Sequence, residues 1–428
     1  MEYKQVVTSF LQRGQLILLL RRSNQVSTYQ GKWGAVSGFL EENEDPYARA
    51  KTEISEETAL TSEDVKLIRF GELLRIYDRE NDTVWIVHPF LFVALESAIR
   101  VNWENSQYKW VEPDELANFE TVPSLEQTFD RVRWDLSSPP ANLSRAIEIV
   151  DEIAQDKMNG ASYLGRKAVE GIRTTVSLST AQTISDLFRD VLLVATRMRT
   201  VQPNMASIRN TVGRLLHDMD LARQTSRSVT EYRKMIEQLT LEVLARSKNA
   251  AELASRNLSE MIIRKNRILT HSYSSTVKRA IQLCSDRELH VYVTESGPAF
   301  EGNTLAHELA ELGFTTTVLP DTITRAFPIE FDAVVLGADS ILADGSIVNK
   351  VGTKDIARTA QHSLIPVYVA AESSKLDSMH FLGHPLRLNE IFDLTPGDCI
   401  TSIITEQGEM KPSDARAQLE SLVRELYT

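Results

Sequence analysis

From about residue 264 onward, short β-branched runs alternate with stretches of helical character: RILTH (267–271), HVYVTES (290–296), TTTVLP (315–320), AVVLGAD (333–339) and VYVAAES (367–373). Strands separated by a helix's worth of chain pair in parallel through crossover helices. The alternation therefore predicts a parallel sheet over 261–428. Its functional residues are expected at the carboxyl ends of the strands, where these runs end in polar residues. The segment before it, 140–260, reads as almost wholly helical. Ile147, Val150 and Ile153, then Leu187, Val191 and Leu192, fall at spacings suited to faces packed in a helical layer.

The first 130 residues have a different texture. Apolar β-like runs at 3–10 and 15–21 flank Gln12-Arg13-Gly14, a hairpin-type connection, and 85–96 forms another long strand-like run. Between them, Pro46 to Thr58 has helical character, with Pro46 suited to a first turn and Ala48, Ala50 and Ile54 offering an apolar stripe. The paired prolines and serines of 137–144 mark a boundary. The expected organisation is thus three parts, 1–130, 140–260 and 261–428, in an α/β chain. A length of 428 residues is too great for one ordinary core and agrees with such a division.

The formal net charge of -12 argues against direct nucleic-acid binding, which leaves a basic footprint. It does not exclude small anionic ligands, because a metal ion or a few backbone N–H groups reverse the local field. Two distant cysteines, Cys284 and Cys399, give neither a disulfide framework nor a zinc site. The opening residues are too broken by Gln, Arg and Gly for a signal peptide or a membrane span. A reducing cytoplasm and no membrane partner are the expectation.

The sharpest local feature is GFLEENEDPYARAKTEISEETAL, from Gly38 to Leu60. On a helix, Glu53, Glu56 and Glu57 stand at i, i+3 and i+4 and share a face. Three like charges repel there, unless a divalent cation turns repulsion into ligation. Mg²⁺ (or Mn²⁺) takes a few carboxylates together with waters and phosphate oxygens. The plain alternative is a solvated acidic face. The surrounding pattern resembles the Nudix hydrolase family, whose box runs Gly, five residues, Glu, seven residues, Arg-Glu-apolar-x-Glu-Glu-x-Gly-apolar. Gly38, Glu44, Glu53, Ile54, Glu56, Glu57 and Leu60 occupy the matching positions. Trp33-Gly34 resembles the family's entry loop, and YKWVEPDEL (108–116) its late segment.

That resemblance implies an α/β/α sandwich that hydrolyses a nucleoside diphosphate-linked small molecule, an ADP-ribose-like compound among the candidates. The implied catalytic and metal-side residues are Glu53, Glu56 and Glu57. Thr52 replaces the box arginine that orients the neighbouring glutamate, and Ala59 replaces the closing glycine. Retained but reduced hydrolysis is the expectation. A general base outside the box would come from Glu96 or Glu104, each also readable as a plain surface acid.

From about residue 145 the chain resembles the family of initiation factor 2B alpha, beta and delta subunits, ribose-1,5-bisphosphate isomerases and methylthioribose-1-phosphate isomerases. NGAS (159–162), ILTHSYS (268–274), VYVTESGPAFEG (291–302), GADSILADGSIVNKVGT (337–353), VYVAAESSK (367–375) and FDLTP (392–396) carry it. The resemblance implies a helical subdomain and a Rossmann-like domain that bind a phosphorylated sugar or nucleotide. Gly160 and Ala161 offer backbone N–H groups, and Asn349, Lys350 and Lys375 would face sugar or phosphate oxygens. Isomerases of this family use a Cys after the His of a THC motif with the Asp of GAD. Asp339 is present, but the thiol position is Ser272 and the strand-end arginine is Gly297. His271 reads as a structural hydrogen bonder. A serine needs a neighbouring base to exchange protons near neutrality, so loss of isomerase activity is expected. The alternatives are a non-catalytic regulatory chain and a working isomerase using Ser272. Dimerisation is also implied by the resemblance.

Overall fold

The computed structural model describes residues 2–41, 44–61, 64–71, 73–78, 82–95, 98–133, 140–286, 288–325, 327, 329–381, 386 and 388–427. The chain divides into two compact units, one spanning Met1–Ala141 and the other most of Asn142–Leu426. Residues 137–139 of the expected boundary lie outside the described residues.

The first unit is built on a mixed sheet. Strand Glu2–Arg13 runs parallel to Thr83–Ala94 and antiparallel to Leu16–Arg22 and Val36–Phe39. Val65–Phe70 and Leu74–Asp78 add antiparallel partners to Thr83–Ala94, and Asn105–Val111 pairs with Leu16–Arg22. The hairpin expected at Gln12-Arg13-Gly14 forms, with Gly14 at a φ of 59° that suits a residue without Cβ. Successive side chains of a strand point to opposite faces. Val7 and Leu11 accordingly pack with Ala50 and Ile54 of helix Pro46–Thr58. Phe10, on the other face, meets Phe129 of helix Leu125–Asp130 with ring centroids 5.0 Å apart. Helices on both faces make an α/β/α sandwich.

Helix Pro46–Thr58 begins where the sequence predicts, because the Asp45 carboxylate accepts from the N–H groups of Tyr47 and Ala48. It stops at Ala59, whose φ of 58° and ψ of 17° are left-handed and whose N–H donates to Ser55 O. The expected apolar stripe needs one correction. Ala50 and Ile54 are buried, but Ala48, two residues before Ala50 and so on nearly the opposite side of the helix, is exposed.

The second unit opens with helices Ser144–Gln155, Ala161–Leu178, Ile184–Thr200, Ala206–Thr225 and Val229–Ile262. A seven-stranded sheet follows in the order Thr315–Leu319, His290–Thr294, Arg267–Thr270, Ala333–Gly337, Val367–Ala370, Ser402–Thr405, Gly408–Met410. All neighbours pair in parallel except the last, antiparallel edge. The final two strands were not anticipated from sequence. Alternation again sorts the core: Ile268, Ala333 and Val335 face one apolar cluster, Leu269, Val334 and Leu336 the other. A sheet buried on both faces explains the near-continuous apolar runs. In chain order the six parallel strands lie 3-2-1-4-5-6, so strand order reverses between Arg267–Thr270 and Ala333–Gly337. Ligands of such sheets bind at that switch point. Among the described residues, no helix is long and apolar enough to cross a membrane.

Candidate functional site

In the first unit, a cleft of about 260 Å³ opens beside helix Pro46–Thr58. Glu53 and Glu56 line it, together with Glu104, Arg22 and Arg49. Glu57 does not. Its Oε1 accepts from the Ser37 N–H at 2.8 Å and its Oε2 from Asn105 Nδ2 at 2.6 Å. The three box glutamates therefore share a helical side without converging: Glu53 and Glu57 are buried, Glu56 is exposed. Among the described residues, no three acidic, histidine or cysteine side chains gather tightly enough to grip an ion as they stand.

The electrostatics still suit a cation. Burial pushes the Glu57 carboxyl up to about 8, against the pull of its two hydrogen bonds, and the charges of Glu53 and Glu104 add to the rise. Burial likewise raises Glu53, although Arg49 pulls the other way. Buried carboxylates that resist ionisation beside further acids are a donor set short of positive charge, and a hard oxygen-seeking cation fits it.

Gly38 is placed by this arrangement. A Cβ there would lie 1.7 Å from Glu53 Oε1, so any other residue would have to displace the glutamate side chain. The box arginine, absent at Thr52, has a neighbour in its stead. Arg49, one turn earlier, forms an ion pair with Glu53 and lines the same cleft. Thr52 donates its hydroxyl to Ala48 O and is exposed. Of the candidate bases, Glu104 lies in the cleft, while Glu96 is outside the described residues.

The aromatic part of the cleft's lining was missed in the sequence. Phe39, Trp85 and Tyr29 come from two strands and a loop and meet only in the fold. The only signal available was Phe39, the aromatic directly after Gly38.

In the second unit, Gly160, Ser272, Asp339, Asn349, Lys350 and Lys375 line one cavity at the switch point. The sequence assigned all six to a common site. The cavity measures about 30 Å³, room for about one water rather than a sugar phosphate. Its polar groups are turned on one another. Ala161 is buried and its N–H donates to Asp339 Oδ1 at 3.2 Å, which corrects the expectation of an open backbone donor. Asn349 Nδ2 donates to Thr353 Oγ1, and Lys350 Nζ to Lys157 O. Lys375 Nζ stands 3.4 Å from Glu372, whose carboxyl it holds low against the opposing effect of burial. Burial raises Asp339, with Lys375 and Lys350 opposing.

Ser272 sits at a φ of 63° and donates its hydroxyl to Glu301 Oε1 at 2.8 Å. Glu301 is 2% exposed, its Oε2 has no hydrogen-bond partner, and Lys350 Nζ is 3.9 Å from Oε1. Sequence reasoning missed Glu301 because it enters from the helix Glu301–Glu311 rather than from the motif that carries Ser272. His271 Nε2 lies 2.9 Å from Val351 O and therefore carries the proton, leaving Nδ1 to accept from Thr294 Oγ1. Burial lowers its pKa and keeps the ring neutral. Where the family pattern has an arginine, the N–H of Gly297 is bound by Asp321 Oδ2 at 2.8 Å.

The chain matches the NUDIX domain over residues 3–132 and the Initiation factor 2 subunit family over 157–384. A putative translation initiation factor eIF-2B subunit 2-like protein of Pyrococcus abyssi is 33% identical over 283 residues, covering 63% of this chain and 97% of its own. A ribose 1,5-bisphosphate isomerase of Haloferax volcanii is 26% identical, covering 64% and 90%. Among solved structures, the translation initiation factor eIF-2B of Pyrococcus horikoshii OT3 superposes with a TM-score of 0.51 at 31% identity, covering 63% of this chain and 97% of its own.

Proposed function

Because this chain belongs to the Initiation factor 2 subunit family and carries a NUDIX domain ahead of that region, we propose that it is a Mg²⁺-dependent pyrophosphate hydrolase fused to a receptor for a sugar phosphate or nucleotide. The observation that carries the hydrolase half is the cleft in which Glu53, Glu56 and Glu104 face the same space as Arg22 and Arg49. Glu53 and Glu56 would hold a Mg²⁺ or Mn²⁺ ion, which when bound polarises a phosphate and lowers the pKa of water, and Glu57 would join them only on release from Ser37 and Asn105.

The chain's own residues do the rest. Arg22 and Arg49 balance the charge of a bound diphosphate. Arg49, paired with Glu53, also holds that carboxylate in place. Ser37 and Asn105 fix Glu57 against the strand edge. Glu104, outside the box, takes the proton of the attacking water. The substrate class is a nucleoside diphosphate joined to a second group, ADP-ribose-like compounds among them. Phosphorus NMR of such a compound incubated with the protein and Mg²⁺ should show the diphosphate signal replaced by two monophosphates. An unchanged spectrum across a panel of these compounds refutes the reading.

For the second unit, the shared placement of Gly160, Asn349, Lys350 and Lys375 at the switch point, with a serine at the thiol position, supports a binding role without isomerisation. Ligand entry would require Lys350 or Lys375 to leave its present partner. Stabilisation against heat by ribose phosphates or nucleoside monophosphates, at roughly millimolar levels, is the expected result. No shift with any of them removes the receptor claim.

A wholly non-catalytic regulatory chain is the second reading, favoured by Glu57, whose two oxygens already have protein partners. A working isomerase is favoured by the carboxylate beside Ser272. Conversion of ribose 1,5-bisphosphate by the full chain would establish that one. A cytoplasmic homodimer belongs to the main reading; the free, buried Cys284 and Cys399 suit a reducing compartment.

A further inference from the structure

Residues 156–160 bridge helices Ser144–Gln155 and Ala161–Leu178, and they hold the chain's only Asn-Gly dipeptide, Asn159-Gly160. Asparagine is thermally labile, because the amide nitrogen of the next residue can attack its side-chain carbonyl carbon. Three conditions favour that attack, and this segment meets them. Glycine follows, and a Cβ at Gly160 would meet nothing within 4 Å, so the approach to its nitrogen is open. Asn159 and Gly160 are both exposed and lie outside regular structure, where the backbone has room to bend. Among the described residues, nothing accepts from the Gly160 N–H, so no hydrogen bond has to break first.

The Asn159 amide is at the same time the clasp of a turn. Asp156 Oδ1 accepts from the N–H groups of Met158 and Asn159 at 3.0 and 2.9 Å, and its Oδ2 from Asn159 Nδ2 at 2.8 Å. Against the effect of burial, these bonds hold the Asp156 carboxyl below its usual range. The turn is fastened to the cavity beside it. Lys350 Nζ donates to Lys157 O at 3.0 Å, the Ala161 N–H donates to Asp339 Oδ1, and Met158, Asn159 and Gly160 line the cavity.

We propose that Asn159 is a self-modification site: it deamidates in the folded protein, and the product undoes the turn beside the second unit's cavity. The Gly160 nitrogen bonds to Asn159 Cγ, the Cγ–Nδ2 bond breaks, and Nδ2 leaves as ammonia with the Gly160 proton. Water then opens the resulting ring at either carbonyl, leaving an aspartate or an isoaspartate. Neither step needs a cofactor, an oxidant or an enzyme. A carboxylate now stands where an amide donated to Asp156 at 2.8 Å. A donor is replaced by a like charge, which loses the hydrogen bond and adds repulsion. In the isoaspartate the main chain also gains an atom ahead of Gly160, which displaces Ala161 from Asp339. Release of the turn frees Lys350 from Lys157.

The test incubates the full chain in mildly alkaline buffer at physiological temperature and maps it with trypsin. Cleavage after Lys157 and Arg166 releases a peptide, Met158–Arg166, that contains no other asparagine. This peptide should gain one mass unit with first-order kinetics, in an aspartate and an isoaspartate form, ahead of every other asparagine in the folded chain. In Asn159→Gln the same peptide should stay unchanged over that period. An unmodified peptide from the folded wild type overturns the proposal; its modification in urea would then show that Asp156 protects the amide. The consequence is read on Asn159→Asp, which carries one product from the start. Its melting temperature should lie a few degrees below wild type. Its Lys350 should also react faster with an acetylating reagent, because the ammonium has lost the Lys157 carbonyl. Wild-type values on both counts would contradict the undoing of the turn. None of these outcomes bears on the hydrolase or receptor readings.

Discussion

The hydroxyl of Ser272 donates to Oε1 of Glu301 at 2.8 Å, inside a site from which water is almost wholly excluded. The position that holds a thiol in the family's isomerases thus holds a donor committed to a buried carboxylate. Removing the donor leaves Oε1 of Glu301 with only the Lys350 ammonium at 3.9 Å, beside an Oε2 that has no hydrogen-bond partner. Ser272→Ala is expected to destabilise the second unit by about 1–3 kcal/mol in urea unfolding. Adding Glu301→Gln should recover part of the loss, since a neutral amide costs less to bury. A neutral Ser272→Ala would show that the hydrogen bond is not formed.

Glu57 gives a pH dependence with a definite sign. Its carboxyl ionises at 4.5 in the reference state and at about 8 when folded. The raised value means the folded unit prefers the protonated form. The stability Glu57 contributes is therefore complete below 4.5 and is lost as pH rises toward about 8. In EDTA, the melting temperature should fall across this window, and Glu57→Gln should flatten the fall. Identical pH profiles for the two proteins would contradict the burial argument.

Gly38→Ala is expected to abolish hydrolysis while the fold survives. The new Cβ would sit 1.7 Å from Glu53 Oε1 and drive that carboxylate from its place. A misplacement of about 1 Å costs on the order of a hundredfold in rate. Circular dichroism should remain native, and hydrolysis should fall by at least that factor.

Ala59→Gly should do the reverse for stability. Ala59 closes its helix at a φ of 58°, where an L side chain is strained and glycine is not. A gain of up to about 1 kcal/mol is expected, read as a rise of a few degrees in melting temperature. A loss of stability would mean that the exposed Ala59 methyl contributes more than its strain costs.

How much of this was legible in the sequence depended on distance along the chain. Helix Pro46–Thr58 could be bounded because Asp45, Pro46 and Ala59 all act locally. The parallel strands could be bounded because burial on both faces writes an unbroken apolar run. Grouping Ser272 with Asp339 followed from the family resemblance, which pairs the THC cysteine position with the aspartate of GAD. What stayed hidden was direction. Helical spacing puts Glu53, Glu56 and Glu57 on one side, yet only the fold turns Glu57 toward Asn105, 48 residues away. The same holds for the wall of Tyr29, Phe39 and Trp85, and for Glu301 beneath Ser272. Contacts of that kind have no spacing signature.

The most direct test compares wild type with Glu53→Gln on a nucleoside diphosphate sugar, in Mg²⁺ and in EDTA. The expected result is turnover by the wild type in Mg²⁺ alone, with Glu53→Gln slower by roughly a hundredfold or more and native by circular dichroism. Equal rates for the two proteins, or a wild type inert with Mg²⁺ and every nucleotide offered, would contradict the account at its centre.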